Sequence, residues 1–290
     1  MNESTSVPSR PNSEALQKMC RSLRWSRLAE PQADLYDSLA VLALVGSTTT
    51  PERPAPYVRR TPFGALRVAH VFMDDELPPN IRRGYSDAET NHPCIEEAAE
   101  ILQSWPVGLD QVRLLIESLH PAIDRRNPAV VRKDCILSSS HSVEGRFGAL
   151  WATVNSAVGL AQSIVHEIAH HKLCALGVSF EHARAVVANG SASRYPSPLV
   201  AWKRPMTAVL HAHYALLHIT ALDCALLAKE RSRAMRAALS RSFARHSTLM
   251  AQSAVVIRRH MIVDPFGVSF MRAMWDWMGR VQGAGRYCIQ

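Results

Sequence analysis

The spacing of apolar positions divides the chain into two regimes. From position 156 onward apolar residues recur every three or four places, which predicts helices over 156–176, 179–189, 206–228, 229–263 and 268–281. The breaks fall at Tyr195–Pro198, Pro205 and Asp264–Pro265, where proline removes a backbone donor and stops a helix. The first half mixes its periods. Leu16, Met19, Leu23 and Leu28 predict a helix over 14–28, and a more apolar helix follows at 33–45. Phe63–Met73 and Ala129–Leu137 carry the β-branched and apolar character of strands, and Ile95–Trp105 and Leu109–Leu119 predict short amphipathic helices. Proline-rich Ser47–Pro56, residues 74–87 and the polar stretch 138–145 are loops by composition. The expected fold is mainly α with a minor β component. A helical half at 138–290 packs on a small mixed α/β half at 1–137, a candidate substrate-binding part, as two domains or one integrated unit.

Inside the helix predicted at 156–176 lies the string His166-Glu167-Ile168-Ala169-His170, an HExxH motif. Residues four apart stand one above the other on a helix, so both imidazoles can face one metal ion while Glu167 reaches a bound water or a neighbouring ligand. With this composition chance yields about 0.03 such strings, which favours a site over coincidence. Leu160, Ile164, Val165, Ile168 and Leu173 supply the buried face of that helix, and Gly177 offers its stop.

A metal held by two histidines needs a third ligand. The extended metzincin motif would place Gly and His where this protein has Leu173 and Leu176, which excludes that family. Glu181 is the nearest following acid, but it sits where the first turn of the next helix is expected. In the helix after Pro205, His211, Tyr214, Ala215, His218 and Leu222 share a face, so His211 or His218 can point at the first helix, and His211 lies nearer its start. His213 points roughly 200° away from His211 and is expected to be a satisfied or exposed histidine. Three histidines with open positions suit a catalytic zinc or a ferrous ion that also binds a cosubstrate and oxygen.

Composition narrows the setting. The six cysteines never form CxxC, which reads as structural thiols of a reduced compartment rather than a disulfide or zinc framework. The first residues lack an apolar core behind a basic start, so no secretory signal and a cytoplasmic location are expected. The longest aliphatic run, Leu39–Val45, is far short of the roughly 18–20 residues that span a bilayer, so no membrane helix is expected. The net charge of +8 permits an acidic partner. Its densest basic stretch, Arg231, Arg233, Arg236, Arg241 and Arg245, alternates with Met235, Leu239 and Phe243 and reads as a solvated helix face. No aromatic platform accompanies it, which argues against a nucleic-acid interface.

The strings SIVHEIAHHKL and YPSPLVAWKRPMTAVLHAHYALL, about forty residues apart, resemble the HEXXH-motif family found in gene clusters for ribosomally made, post-translationally modified peptides. The match covers roughly residues 138–228. Members are regarded as iron- and 2-oxoglutarate-dependent peptide β-hydroxylases. The resemblance implies an enzyme that hydroxylates a C–H bond at the β-carbon of a residue in a ribosomal precursor peptide, with O₂, using iron(II) and 2-oxoglutarate. It implies His166, His170 and His211 as metal ligands and Arg204, ahead of Pro205, as the cosubstrate's carboxylate anchor. Apolar Leu199, Val200, Ala201 and Trp202 stand where the family carries an acid-containing stretch. Glu167 would be the general base of a zinc hydrolase or an orienting group in an oxygenase. A zinc peptidase and a non-catalytic peptide-binding protein are the alternative functions.

Overall fold

The computed structural model describes residues 59–61, 64–68, 81–83, 92–116, 118–124, 136, 138–142, 148–265 and 267–289. The helices expected at 14–28 and 33–45 and most of the strand expected at Ala129–Leu137 lie outside the described residues. Among the described residues the fold is mainly helical with a small sheet. It runs β1 (Arg59–Thr61), β2 (Gly64–Val68), β3 (Ile81–Arg83), α1 (Pro93–Leu102), α2 (Pro106–Leu115), β4 (Ser118–Asp124), β5 (Ser140–Ser142), β6 (Ala149–Thr153), α3 (Ala157–Ala175), α4 (Met206–Leu227), α5 (Arg233–His260) and α6 (Gly267–Ile289).

The sheet has the order β1-β2-β4-β6-β5, with β2, β4 and β6 parallel and antiparallel strands β1 and β5 at its ends. β3 pairs with β4 beyond the reach of β2: β2 meets Ser118 and Leu119, whereas β3 meets Ala122, Ile123 and Asp124. Pro121 falls in the gap between those pairings. Ser118 N–H bonds Gly148 and Ala122 C=O accepts from Val154, so even positions address β6 and the donor that Pro121 lacks would face the gap.

Several expectations are corrected. The second short helix ends at Leu115, and Ser118–Asp124 is a strand because its Leu119, Ala122 and Ile123 are buried in the sheet. β3 lies within the loop expected at 74–87, and β5 within the expected turn at 138–145. Alternation does not signal β6, since all five of its residues are buried. Residues 179–189 are not helical. The backbone there makes bridges Val178↔Ala183 and Val187↔Val263, and it turns back as Arg184 N–H bonds Gly177 C=O.

One hydrophobic core runs from Cys94 and Ile95 of α1 through α3 and α4 to Met274 and Trp277 of α6. α4 lies at its centre, packed by α3, α5 and α6, with Tyr214 and Leu217 wholly inaccessible. This helix is long and apolar enough to cross a membrane by length and composition, but 83% of its apolar window is buried inside the fold. Its apolarity on all sides is that of a core helix. Of the basic stretch, Arg231, Arg233, Arg241 and Arg245 are exposed while Leu239 and Phe243 are buried; Arg236 turns inward to bond Leu227 and Cys288 carbonyls at the ends of α4 and α6. Cys94, Cys174, Cys224 and Cys288 form no disulfide, and burial pushes Cys94 up to about 11 and Cys224 to about 12. Those two are inert packing groups.

Candidate metal centre

The start and stop of α3 are built from its own residues. Ser156 accepts a hydrogen bond from Gly159 N–H at 3.1 Å and caps the N-terminus. At the other end Gly177 takes φ 83°, Gly177 N–H bonds Cys174 C=O at 2.9 Å, and Val178 N–H bonds Leu173 C=O at 2.9 Å. This left-handed stop reverses the backbone after the HExxH helix and leaves the Val178 carbonyl facing back over it.

His166 and His170 come together as expected. Their Nε2 atoms are 2.9 Å apart, and one donor atom each from His166, Glu167 and His170 lies within 4.8 Å of the others. His170 then meets His211 of α4, Nδ1 to Nδ1, at 3.1 Å. His211 lies outside the 4.8 Å group because it approaches His170 from the opposite ring edge. Its Nε2 donates to Val178 C=O at 2.9 Å, the carbonyl that the Gly177 turn presents. Phe180 stacks on His211 at 4.3 Å and meets His170 edge-on at 5.0 Å, closing the buried side.

The three imidazoles differ in access. His211 is wholly buried and His170 nearly so, while the His166 side chain keeps 29% of its surface. Burial lowers His166, holds His170 well below the ordinary histidine value and pushes His211 down to about 4, the last opposed by its bond to Val178 and aided by the charge of Arg204. All three are neutral at physiological pH, the state a metal ligand requires.

Glu167 is 1% exposed. Ser140 of β5 donates to its Oε1 at 2.7 Å, His166 Nε2 is 3.9 Å from the same oxygen, and no described residue donates to Oε2. A buried carboxylate oxygen without a donor, beside two neutral imidazoles, is a donor set that fits a divalent cation or a water bound to one.

Other expected residues separate clearly. His218 also faces α3, but about two α4 turns beyond His211: its Nδ1 bonds Tyr214 C=O at 2.7 Å and its Nε2 lies 3.5 Å from Lys172 Nζ, between Trp105 and Trp277. His213 is buried on the other side, bonded to Ser253 at 2.8 Å. Glu181 is exposed and pairs with Arg194 at 3.7 Å. Arg204 is half-buried, and its backbone exchanges two hydrogen bonds with Tyr195 at 2.8 and 2.9 Å. Among the described residues no carboxylate pairs with it, and its charge reaches His211.

Sequence reasoning missed Ser140, Phe180 and the Val178 carbonyl, which enter through tertiary contacts. It also missed Lys172, a buried amine that desolvation pushes down to about 7. No family model matches the protein, and no curated protein matches it.

Proposed function

We propose that the protein is an iron(II)- and 2-oxoglutarate-dependent oxygenase that hydroxylates the β-carbon of a residue in a ribosomally made precursor peptide in the cytoplasm. The observation that carries the reading is the pair of neutral imidazoles of His166 and His170 beside an incompletely satisfied Glu167, with His211 meeting the other ring edge of His170. The third histidine is held by a backbone carbonyl on its far nitrogen, the arrangement that commonly orients an imidazole ligand.

His166, His170 and His211 would hold the iron, which when bound supplies the capacity to activate O₂ for attack on an unactivated C–H bond. The protein's own residues do the rest. Val178 and Phe180 hold His211 in one orientation, Ser140 keeps Glu167 turned toward His166, and the buried walls of α3 and α4 exclude water on the His170 side. Arg204, without a carboxylate partner among the described residues and with its charge reaching His211, would receive the dicarboxylate.

A zinc hydrolase is the second reading, favoured by the free Oε2 of Glu167, which could take a proton from a bound water. The discriminating experiment is mass spectrometry of a precursor peptide incubated with each metal. Addition of one oxygen only with iron, O₂ and 2-oxoglutarate supports the oxygenase; cleavage with zinc alone overturns it.

A further inference from the structure

Next to the metal helix lies a second polar cluster that the histidine run does not use. Asp223 of α4 has no accessible surface, yet its carboxylate gathers three side groups. Gln162 donates to Oδ1 at 2.6 Å, Ser242 donates to Oδ2 at 3.0 Å, and His246 Nδ1 lies 3.1 Å from Oδ2. Gln162 also donates to Ser242 at 3.0 Å, which ties α3 directly to α5.

The direction of the helices makes this tie informative. Gln162 meets Asp223 while His170 meets His211, so α3 and α4 run antiparallel; His213 meets Ser253 while Asp223 meets His246, so α4 and α5 do too. α3 and α5 therefore run the same way. One turn beyond the Gln162–Ser242 contact, α3 carries His166 and α5 carries His246. Of the charges that act on His166, Glu167 ranks first and His246 next. His166 is also the most open of the three imidazoles, and His246 keeps 16% of its side-chain surface.

Resting on the metal reading above, we propose that His246, held by Asp223, is the hydrogen-bond donor for an anionic ligand, a carboxylate, on the open His166 side of the metal. Asp223 Oδ2 holds the ring through Nδ1, which leaves Nε2 as the nitrogen that meets the ligand. His246 is not in the group of His166, Glu167 and His170 donor atoms within 4.8 Å of one another, and the proposal assigns it to the ligand rather than to the metal.

The experiment uses the full-length protein loaded with Co(II), with azide as the anionic probe and the visible spectrum of the metal as readout. His246→Ala is expected to weaken azide binding about tenfold, the worth of one charge-assisted hydrogen bond, with Co(II) affinity unchanged. His246→Gln, which keeps an N–H donor, is expected to recover part of the loss. Unchanged azide affinity, a wild type that takes Co(II) but not azide, or loss of Co(II) itself from His246→Ala would each overturn the assignment. A wild type that takes no Co(II) fails earlier and overturns the metal reading beneath it. Should His246→Ala not fold, ¹⁵N-histidine spectra of the zinc-loaded wild type decide: His246 Nε2 must carry a proton and shift on azide addition.

Discussion

His170 and His211 meet Nδ1 to Nδ1 at 3.1 Å, and the contact has a direction. His211 Nε2 must carry the hydrogen it gives to Val178 C=O, so neutral His211 accepts at Nδ1 and His170 donates from its own. His170 Nε2 is then the acceptor facing His166. The three rings form one relay of donors ending on a backbone carbonyl. A metal ion would compete for the lone pairs that accept within it.

That arrangement predicts an order among histidine variants. His166→Ala and His170→Ala should each weaken metal binding by roughly two orders of magnitude or more, and His211→Ala by a comparable amount, measured by chelator competition. His218→Ala, beside Lys172, should leave metal affinity within about twofold. If His218→Ala loses the metal while His211→Ala keeps it, the third ligand is misassigned.

Arg204→Lys keeps the charge near His211 but loses the planar fork. It should raise the 2-oxoglutarate concentration needed for half-maximal binding about tenfold, with metal affinity preserved. Titration of 2-oxoglutarate into the metal-loaded protein checks this, and an unchanged requirement would return Arg204 to a merely loop-fixed residue.

Glu167→Gln separates the two reaction classes. As the base of a hydrolase, Glu167 is worth at least roughly a hundredfold in rate; as an orienting group held by Ser140 its loss should follow the change in metal affinity. Rates measured at saturating metal are the test.

Acid should destabilise the metal-free protein through its buried histidines. Burial pushes His171 and His211 down to about 4 and His213 to about 3, below the ordinary value near 6.5. Between pH 6.5 and those values the unfolded state binds protons that the folded state refuses, so stability is complete above about 6.5 and falls as pH drops. The slope is about 1.4 kcal/mol per pH unit for each such group. His213→Gln, remote from the metal, should flatten urea-derived stability between about pH 6 and 4 by about one proton's worth.

Lys172 has the same sign in a higher window. Its folded value near 7 lies below the ordinary 10.5, so its cost is full below pH 7 and fades as pH rises toward 10.5. Lys172→Met should raise the thermal midpoint, by roughly 1–4 kcal/mol of stability near pH 7 and less near pH 10. Equal gains at both pH values would contradict the buried-amine account.

Two glycines of α6 should respond oppositely to alanine. A Cβ on Gly283 meets nothing within 4 Å, so Gly283→Ala should stabilise by about 1 kcal/mol through helix propensity. A Cβ on Gly285 would run into the ring of Phe243, so Gly285→Ala should destabilise by forcing α5 and α6 apart. Thermal unfolding of the two variants gives the comparison.

The parts of this fold that are legible in the sequence share a local cause. Pro205 and the apolar run after it mark α4 as Met206–Leu227 against an expectation of 206–228, and two histidines four apart need only one helix to meet. Where partners come from elsewhere, the pattern misleads. Ala183, Val186 and Val187 have the i, i+3, i+4 spacing of a helix face, but Ala183 bridges to Val178 and Val187 to Val263, and β6 has no polar face to alternate. His246 reads as one polar residue on a basic helix because its partner Asp223 is 23 positions away.

Asn189 gives the irregular segment between α3 and α4 a mechanical role. Its amide donates to Tyr195 Oη and to His260 C=O, both at 2.8 Å, and its carbonyl accepts from Ile262 N–H at 2.8 Å. Nearby, Asp264 grips the backbone of Val186, a β-branched residue held at φ 70°. Tyr195 in turn pairs with Arg204. The joint between the last two helices is thereby the anchor post of a tether whose other end carries the arginine beside His211. Slackening that post, by Asn189→Ala for instance, would let Arg204 drift while the histidines of α3 stay put, so under the proposed function cosubstrate capture would be uncoupled from metal retention from a point that touches neither.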